Sequence, residues 1–477
     1  MSRDGLGASL RAGSLALPFI LALAAAAHAD DAPTFDTGQI PDPVILLPDG
    51  AALGSVMLFS SEDGWGSEDD ALAARLQAEG AAVVGIDLPS YLAALDAEGK
   101  DCVYLVADFE SLGHQLERAT GSTTFHAPIV AGTGQGGALA INILAQTPFD
   151  TLGAAIAGDP SDGVPLTTQF CTKQPRNEGS DGWTYALPAG NQPAPLTVVL
   201  GQGATGESAG RVADLSAAGV TFQVDGADDS SSPAFGDAVA AAVARNAGTS
   251  DAPAIVELGT TPTQGVMAIV LSGDGGWRDL DKQIAGVLQS KGVPTVGLDT
   301  LRWFWSPRTP QETGAELARL IDLYTDKWKV PKVMLVGYSF GADVLPDAYL
   351  AIPPEAQAKV GQISLLGLAD VADWQITVSG WLGKASSTAK PTGPALAKLP
   401  PDLVQCIHGE EEDDSACPSL QGTGVEIITT KGGHHFDGNY QALAQKIIDG
   451  FQRRQQPAAP ASAPDPAPAT APATGTP

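Results

Sequence analysis

Ser339 lies in Gly337-Tyr-Ser-Phe-Gly341, a G-x-S-x-G pentapeptide behind the apolar, β-branched run Val333-Met-Leu-Val336 and ahead of a helix-compatible segment. A strand that turns sharply into a helix holds a serine hydroxyl out at the turn, where it can act as a nucleophile. The flanking glycines fit because a Cβ at either place would collide with a neighbouring strand or helix in so tight a turn. With 55 glycines in 477 residues, the pentapeptide alone is a weak signal, and the strand before it gives it weight. A serine hydroxyl attacks an acyl group effectively only when a base takes its proton and an acid orients that base. Where such an elbow is used, the acid and then the histidine follow the serine in the chain.

Both follow here. Val425-Glu-Ile-Ile-Thr-Thr430 reads as a last strand, and Lys431-Gly-Gly-His-His-Phe-Asp437 comes directly after it. His434, immediately behind the two glycines, is the preferred base, and His435 is the close second. Asp402-Leu-Val-Gln-Cys-Ile407 reads as the strand before, leading into His408-Gly-Glu-Glu-Glu-Asp-Asp414. Five successive carboxylates cannot all point into one site, so most form a solvated face. Asp414 is the first choice of acid, because it precedes Ala416-Cys417-Pro418, where a Cys406–Cys417 bridge would fix the loop. Glu412, three residues past Gly409, is the alternative; Asp343 and Asp370 are less suited, and His408 reads as structural.

Developing negative charge in acyl transfer needs backbone N–H donors. One is expected from Phe340, directly after the nucleophile, and another from Asp274 or Gly275 in Ser272-Gly-Asp-Gly-Gly-Trp277. Trp303 and Trp305, in Arg302-Trp-Phe-Trp-Ser-Pro307, belong either to the core or to an apolar substrate wall or lipid-facing tip. Trp277 is grouped with them as a candidate substrate contact. No metal site is expected: there is no C-x-x-C spacing, and adjacent histidines diverge in direction. No cofactor is implied.

The elements that position these residues occur twice. Val56-Met-Leu-Phe-Ser-Ser-Glu-Asp-Gly-Trp65 resembles Ala268-Ile-Val-Leu-Ser-Gly-Asp-Gly-Gly-Trp277, and the ungapped offset (277 − 65 = 212) also places Leu76, Gly80, Gly85 and Asp87 on Leu288, Gly292, Gly297 and Asp299. Each copy reads strand, Gly/Asp-rich turn, helix, strand (Ala81 to Asp87; Val293 to Asp299). At a shifted offset Ile129-Val-Ala-Gly-Thr-Gly-Gln-Gly136 falls on Met334 to Gly341, with Gly134 in the place of Ser339. The first half has no histidine after residue 126, so it lacks both nucleophile and base. The expected fold is α/β, two tandem α/β-hydrolase-like domains with mainly parallel sheets, the first degenerate. The boundaries are 1–29 for a signal peptide, 30–250 for the non-catalytic domain, 251–455 for the catalytic domain and 456–477 for a disordered Pro/Ala-rich tail.

The signal peptide rests on Arg3 and Arg11, the apolar run Leu15 to Ala27, and Ala27-His-Ala29 as a cleavage site. It implies export, most simply to a bacterial periplasm. Four cysteines suit that compartment, with Cys406 paired to Cys417 and Cys102 to Cys171. A formal charge of −29 argues against a nucleic-acid partner, whose phosphates would be repelled.

Ser272-Gly-Asp-Gly-Gly-Trp277, Gly337-Tyr-Ser-Phe-Gly-Ala-Asp-Val-Leu-Pro346, the acidic loop between Cys406 and Cys417, and Gly432-Gly-His-His-Phe-Asp437 together resemble the bacterial virulence protein family typified by VirJ and AcvB. The likeness spans roughly 260 to 455, and the added N-terminal copy is similar to the longer AcvB type. That resemblance implies a periplasmic α/β-hydrolase that removes the amino acid from aminoacylated phosphatidylglycerol, chiefly lysyl-phosphatidylglycerol, at the membrane surface. It places the nucleophile at Ser339, the histidine in His434-His435 and the acid within Glu410 to Asp414. It also implies a link to virulence and to type IV secretion proteins as partners in some members. A reading from another class is a non-catalytic periplasmic adaptor for secretion, consistent with a dead first copy and a flexible tail.

Overall fold

Two sets of short apolar runs form two sheets with the same strand order. The first sheet comprises β1 (Val44–Leu46), β2 (Ser55–Phe59), β3 (Ala82–Ile86), β4 (Ile129–Thr133), β5 (Ala154–Gly158), β6 (Leu196–Gly201) and β7 (Gln223–Ala227), in the order β1-β3-β2-β4-β5-β6-β7. The second comprises β8 (Ile255–Leu258), β9 (Val266–Leu271), β10 (Thr295–Leu298), β11 (Lys332–Tyr338), β12 (Val360–Leu366), β13 (Val404–Gly409) and β14 (Glu426–Thr430), in the order β8-β10-β9-β11-β12-β13-β14. In each sheet only the first strand runs antiparallel, and the other pairs are parallel. The central strands β2 and β9 are buried along their whole length. That is why they read as unbroken apolar runs rather than alternating ones: helices cover both faces of a parallel sheet.

This computed structural model describes residues 33–201, 206–227, 231–248, 255–377 and 386–456. The expected signal peptide, the boundary between residues 250 and 251 and the Pro/Ala-rich tail from residue 457 lie outside the described residues. Among the described residues, no helix is long and apolar enough to cross a membrane.

The repeat seen in sequence is a repeat of packing devices. Behind β2, Trp65 lies over Gly85, and behind β9, Trp277 lies over Gly297; a Cβ on either glycine would overlap the indole. Asp87, at the end of β3, accepts the Trp65 N–H at 2.7 Å and the Ser90 N–H at 3.0 Å, so it ties the turn to the helix that follows. Asp299 ends β10 in the same way, accepting the Arg302 N–H at 3.2 Å. Helix α1 (Ser67–Ala78) starts from Gly66, whose N–H is accepted by Asp69 at 2.8 Å.

The described residues of both sheets belong to one compact unit that begins at Phe35. Helix α2 (Val106–Ala119) and the segment after it supply much of the junction. Phe125 and Ala127 join Trp303, Phe304 and Trp305 in one buried cluster with the strands of the second sheet. The Trp305 Nε1–H donates to the Ser122 carbonyl at 3.0 Å, the Arg118 guanidinium lies 3.7 Å from the Trp305 ring centre, and Ser306 Oγ donates to the Thr123 carbonyl at 2.8 Å.

Candidate active site

Strand β11 delivers Ser339 to the start of helix α5 (Phe340–Leu350) with φ 51° and ψ −123°. This is a left-handed backbone on a non-glycine residue, a conformation held only where the surroundings enforce it. The Ser339 N–H donates to the Leu366 carbonyl of β12 at 2.8 Å, which fixes the turn against the sheet.

The loop after β14 brings His434 Nε2 to 2.8 Å from Ser339 Oγ. The loop after β13 brings Glu412 Oε1 to 2.5 Å from His434 Nδ1. A carboxylate only accepts, so Nδ1 carries the proton and Nε2 is left to accept from the serine hydroxyl. Glu412 is fixed in turn: its Oε2 accepts the Gly409 N–H at 2.8 Å, and its side chain is 4% exposed. The hydrogen bond to Glu412 raises the His434 pKa, against burial, which lowers it. For Glu412 burial works upward, but His434 and the Gly409 N–H outweigh it and hold the carboxyl below its ordinary range.

The geometry thus places Glu412, and not the first-choice Asp414, on the His434 ring. Asp414 is exposed, and it acts on His434 only through its field. The turn from Gly409 to Glu412, closed by Glu412 N–H to the Gly409 carbonyl at 3.2 Å, aims only the third of the five carboxylates at the imidazole. His435 points elsewhere: its Nδ1 meets the Tyr338 hydroxyl at 3.2 Å. His408 is buried, its Nδ1–H donating to the Gly409 carbonyl at 3.0 Å and its Nε2 accepting from Thr429 Oγ1 at 3.0 Å.

Phe340 opens α5 directly after Ser339. The Gly273–Trp277 turn is closed by Gly276 N–H to the Gly273 carbonyl at 3.0 Å, and Gly273 packs on Tyr338 and Ser339. Burial raises the Asp274 pKa, while the N–H groups of Gly275 and of Asp274 itself oppose that rise. These two candidate donors therefore face the Asp274 carboxylate in this structure. Burial also lifts Asp343, in the first turn of α5, to about 8, although its Oδ1 accepts the Ala369 N–H at 2.8 Å.

The tryptophans form no substrate wall. Trp277 is 4% exposed and packs on Gly297, Trp303 is 9% exposed, and Trp305, at 1%, sits in the junction with the first domain. Apolar surface of that size is worth more when buried than in water, and for Trp305 the first domain supplies the cover.

Gly367, after β12, takes part without having been singled out in sequence. At φ +63° it faces the triad, and a Cβ there would stand 2.8 Å from His434 Cε1 and 3.2 Å from Glu412 Oε1. Its only local signal is a glycine following a buried strand.

The first domain repeats the elbow without the chemistry. Gly134 has φ 55° and ψ −124°, the backbone of Ser339, and opens helix α3 (Gln135–Ile143). The Gln135 N–H, equivalent to that of Phe340, donates to Glu62 Oε2 at 3.1 Å. A Cβ on Gly134 would come within 2.5 Å of that oxygen, so the carboxylate occupies the space a serine would need. The disulfides Cys102–Cys171 and Cys406–Cys417 are both present, the second spanning the loop that carries Glu412. Among the described residues, no group of three or more His, Cys, Asp or Glu is placed to hold a metal ion.

Residues 265–455 match the family described as bacterial virulence protein (VirJ). Among solved structures, Est1E from Butyrivibrio proteoclasticus is similar at 14% identity, covering 42% of this chain and 92% of that one, with a TM-score of 0.30. A lidless α/β serine hydrolase from Xanthomonas campestris is similar at 15% identity, covering 42% of this chain and 87% of that one, with a TM-score of 0.29. No curated protein sequence matches the chain.

Proposed function

We propose, from a serine, histidine and glutamate joined by hydrogen bonds within a segment that matches the VirJ family, that the protein is a serine hydrolase of the esterase type. The single observation carrying this is the continuous path from Ser339 Oγ through His434 to Glu412. His434 Nε2 takes the hydroxyl proton as Ser339 Oγ attacks the acyl carbon, and Glu412 favours the imidazolium that results. The Phe340 N–H stabilises the oxyanion. His434 then protonates the leaving alcohol, and water, activated by the same imidazole, releases the acid from the acyl-enzyme.

For substrate, we take the aminoacyl ester of aminoacylated phosphatidylglycerol, lysyl-phosphatidylglycerol first. Its support is the family match together with two carboxyl groups beside the nucleophile. Asp274 and Asp343 are both raised by burial, so a cation arriving with the substrate would favour their charged forms. Lipid contact through Trp303 and Trp305 forms no part of this reading, since both are buried. The two disulfides support an oxidising compartment, and hence the periplasm.

The test is release of amino acid from lysyl- and alanyl-phosphatidylglycerol vesicles by purified protein. Ser339→Ala should abolish release and labelling by a fluorophosphonate while leaving the fold intact. Wild-type turnover by that variant would refute the nucleophile. Absence of fluorophosphonate labelling in the native protein would favour a non-catalytic adaptor for secretion.

A further inference from the structure

The first domain reaches the turn beside the nucleophile. Glu110, midway along α2, has a side chain only 3% exposed, and both its carboxylate oxygens meet the guanidinium of Arg278. The Nη1–Oε2 distance is 2.9 Å, and Nη2 donates to Oε1. Arg278 directly follows the Gly273–Trp277 turn and is the N-cap of helix α4 (Asp279–Ser290). Its guanidinium packs on that turn: a Cβ on Gly275 would lie 3.4 Å from Arg278 Nε and 3.5 Å from Cζ. In the first domain the equivalent N-cap is Gly66 (66 + 212 = 278), so the non-catalytic copy has no side chain there.

We propose that Glu110 is a positioning residue: through Arg278 it holds the Gly273–Trp277 turn in register with Ser339, which makes the degenerate first domain a working part of the second domain's active site. A planar guanidinium gripped at two points has a fixed orientation, and here Nε and Cζ lie against Gly275. The turn lies against Ser339, with Gly273 packed on Tyr338 and Ser339, and acyl transfer tolerates misplacement of the groups around the nucleophile by no more than fractions of an ångström. This role rests on the hydrolase reading for its catalytic consequence, though not for its structural one.

Glu110→Ala is the informative change in the full chain. It leaves Arg278, whose side chain is 23% exposed, within reach of water, whereas Arg278→Ala would strand a buried carboxylate. Hydrogen exchange of the 273–278 amides should accelerate about tenfold, with the strands unchanged. With an activated ester, kcat should fall between about tenfold and a hundredfold, with KM within about twofold. Glu110→Gln, which keeps an acceptor, should recover part of the loss. Asp150→Asn removes a different contact between the domains, the ion pair with Lys282 at 2.8 Å, and should change neither quantity. Unchanged exchange in a folded Glu110→Ala protein overturns the proposal. A lowered melting temperature with kcat per labelled site unchanged also overturns it, since the contact would then be structural only. If native protein cleaved no ester, the hydrolase reading would fall, and the exchange comparison would still decide whether Glu110 holds the turn.

Discussion

At Ser339 the chain accepts a left-handed backbone to present one oxygen. Glycine takes that conformation at little cost, so Ser339→Gly should raise stability by about 1 kcal/mol as it abolishes activity, while Ser339→Ala keeps the strain. Denaturant midpoints of the two variants make the comparison. His434 must be neutral to accept the serine proton, so kcat/KM falls as pH drops through its pKa. The Glu412 hydrogen bond favours the charged ring and raises that pKa, placing the acid limb above the ordinary value of about 6.5. Glu412→Gln should move the limb downward and reduce kcat on the order of a thousandfold, both read from one pH–rate profile. An unchanged limb would mean that Glu412 does not govern the imidazole.

Among the elements, the ends of β11, β12, β13 and β14 each place one part of the site: the serine, Gly367, the glutamate and the histidine. Parallel neighbours bring these loops to one edge of the sheet, the usual location of sites in open α/β folds. Gly367 shows how close the loops stand. Gly367→Ala would put a methyl 2.8 Å from His434 Cε1 on a backbone with φ +63°. We expect kcat to fall about a hundredfold in a protein that still folds, with the far-ultraviolet circular dichroism spectrum unchanged. Activity near wild type would show that the histidine loop has room to move.

On the scale of the whole molecule, two copies of one plan have divided their roles. The first keeps the elbow, the buried strands and the Trp-on-Gly device, fills its nucleophile position with Glu62, and spends α2 and the following segment on the second domain. Trp305 is one of the residues that join the halves. Trp305→Ala should cost about 3–5 kcal/mol, as expected for truncating a fully buried tryptophan. It should also lower the temperature at which both domains unfold in calorimetry. A lowered transition confined to the second domain would show that the junction does not couple them.

The two α/β plans and the candidate serine can be read from the chain alone, because they rest on apolar runs, glycine turns and a matched offset, and the two cysteine pairs follow from there being four cysteines, two of them close together. Ser339 is legible because the strand, the turn and the following helix are consecutive in the chain. The acid was not. Glu410 to Asp414 are chemically near-equivalent along the chain, and only the turn at Gly409, with the space left by Gly367, decides that Glu412 faces His434. Choosing between His434 and His435 likewise depended on which ring meets Tyr338 across the site. Trp305 announces large apolar surface, but a chain cannot state what covers it. The tertiary structure supplied that cover from the other domain, and with it the contact from Glu110 to Arg278, 168 residues apart, that no local pattern contains.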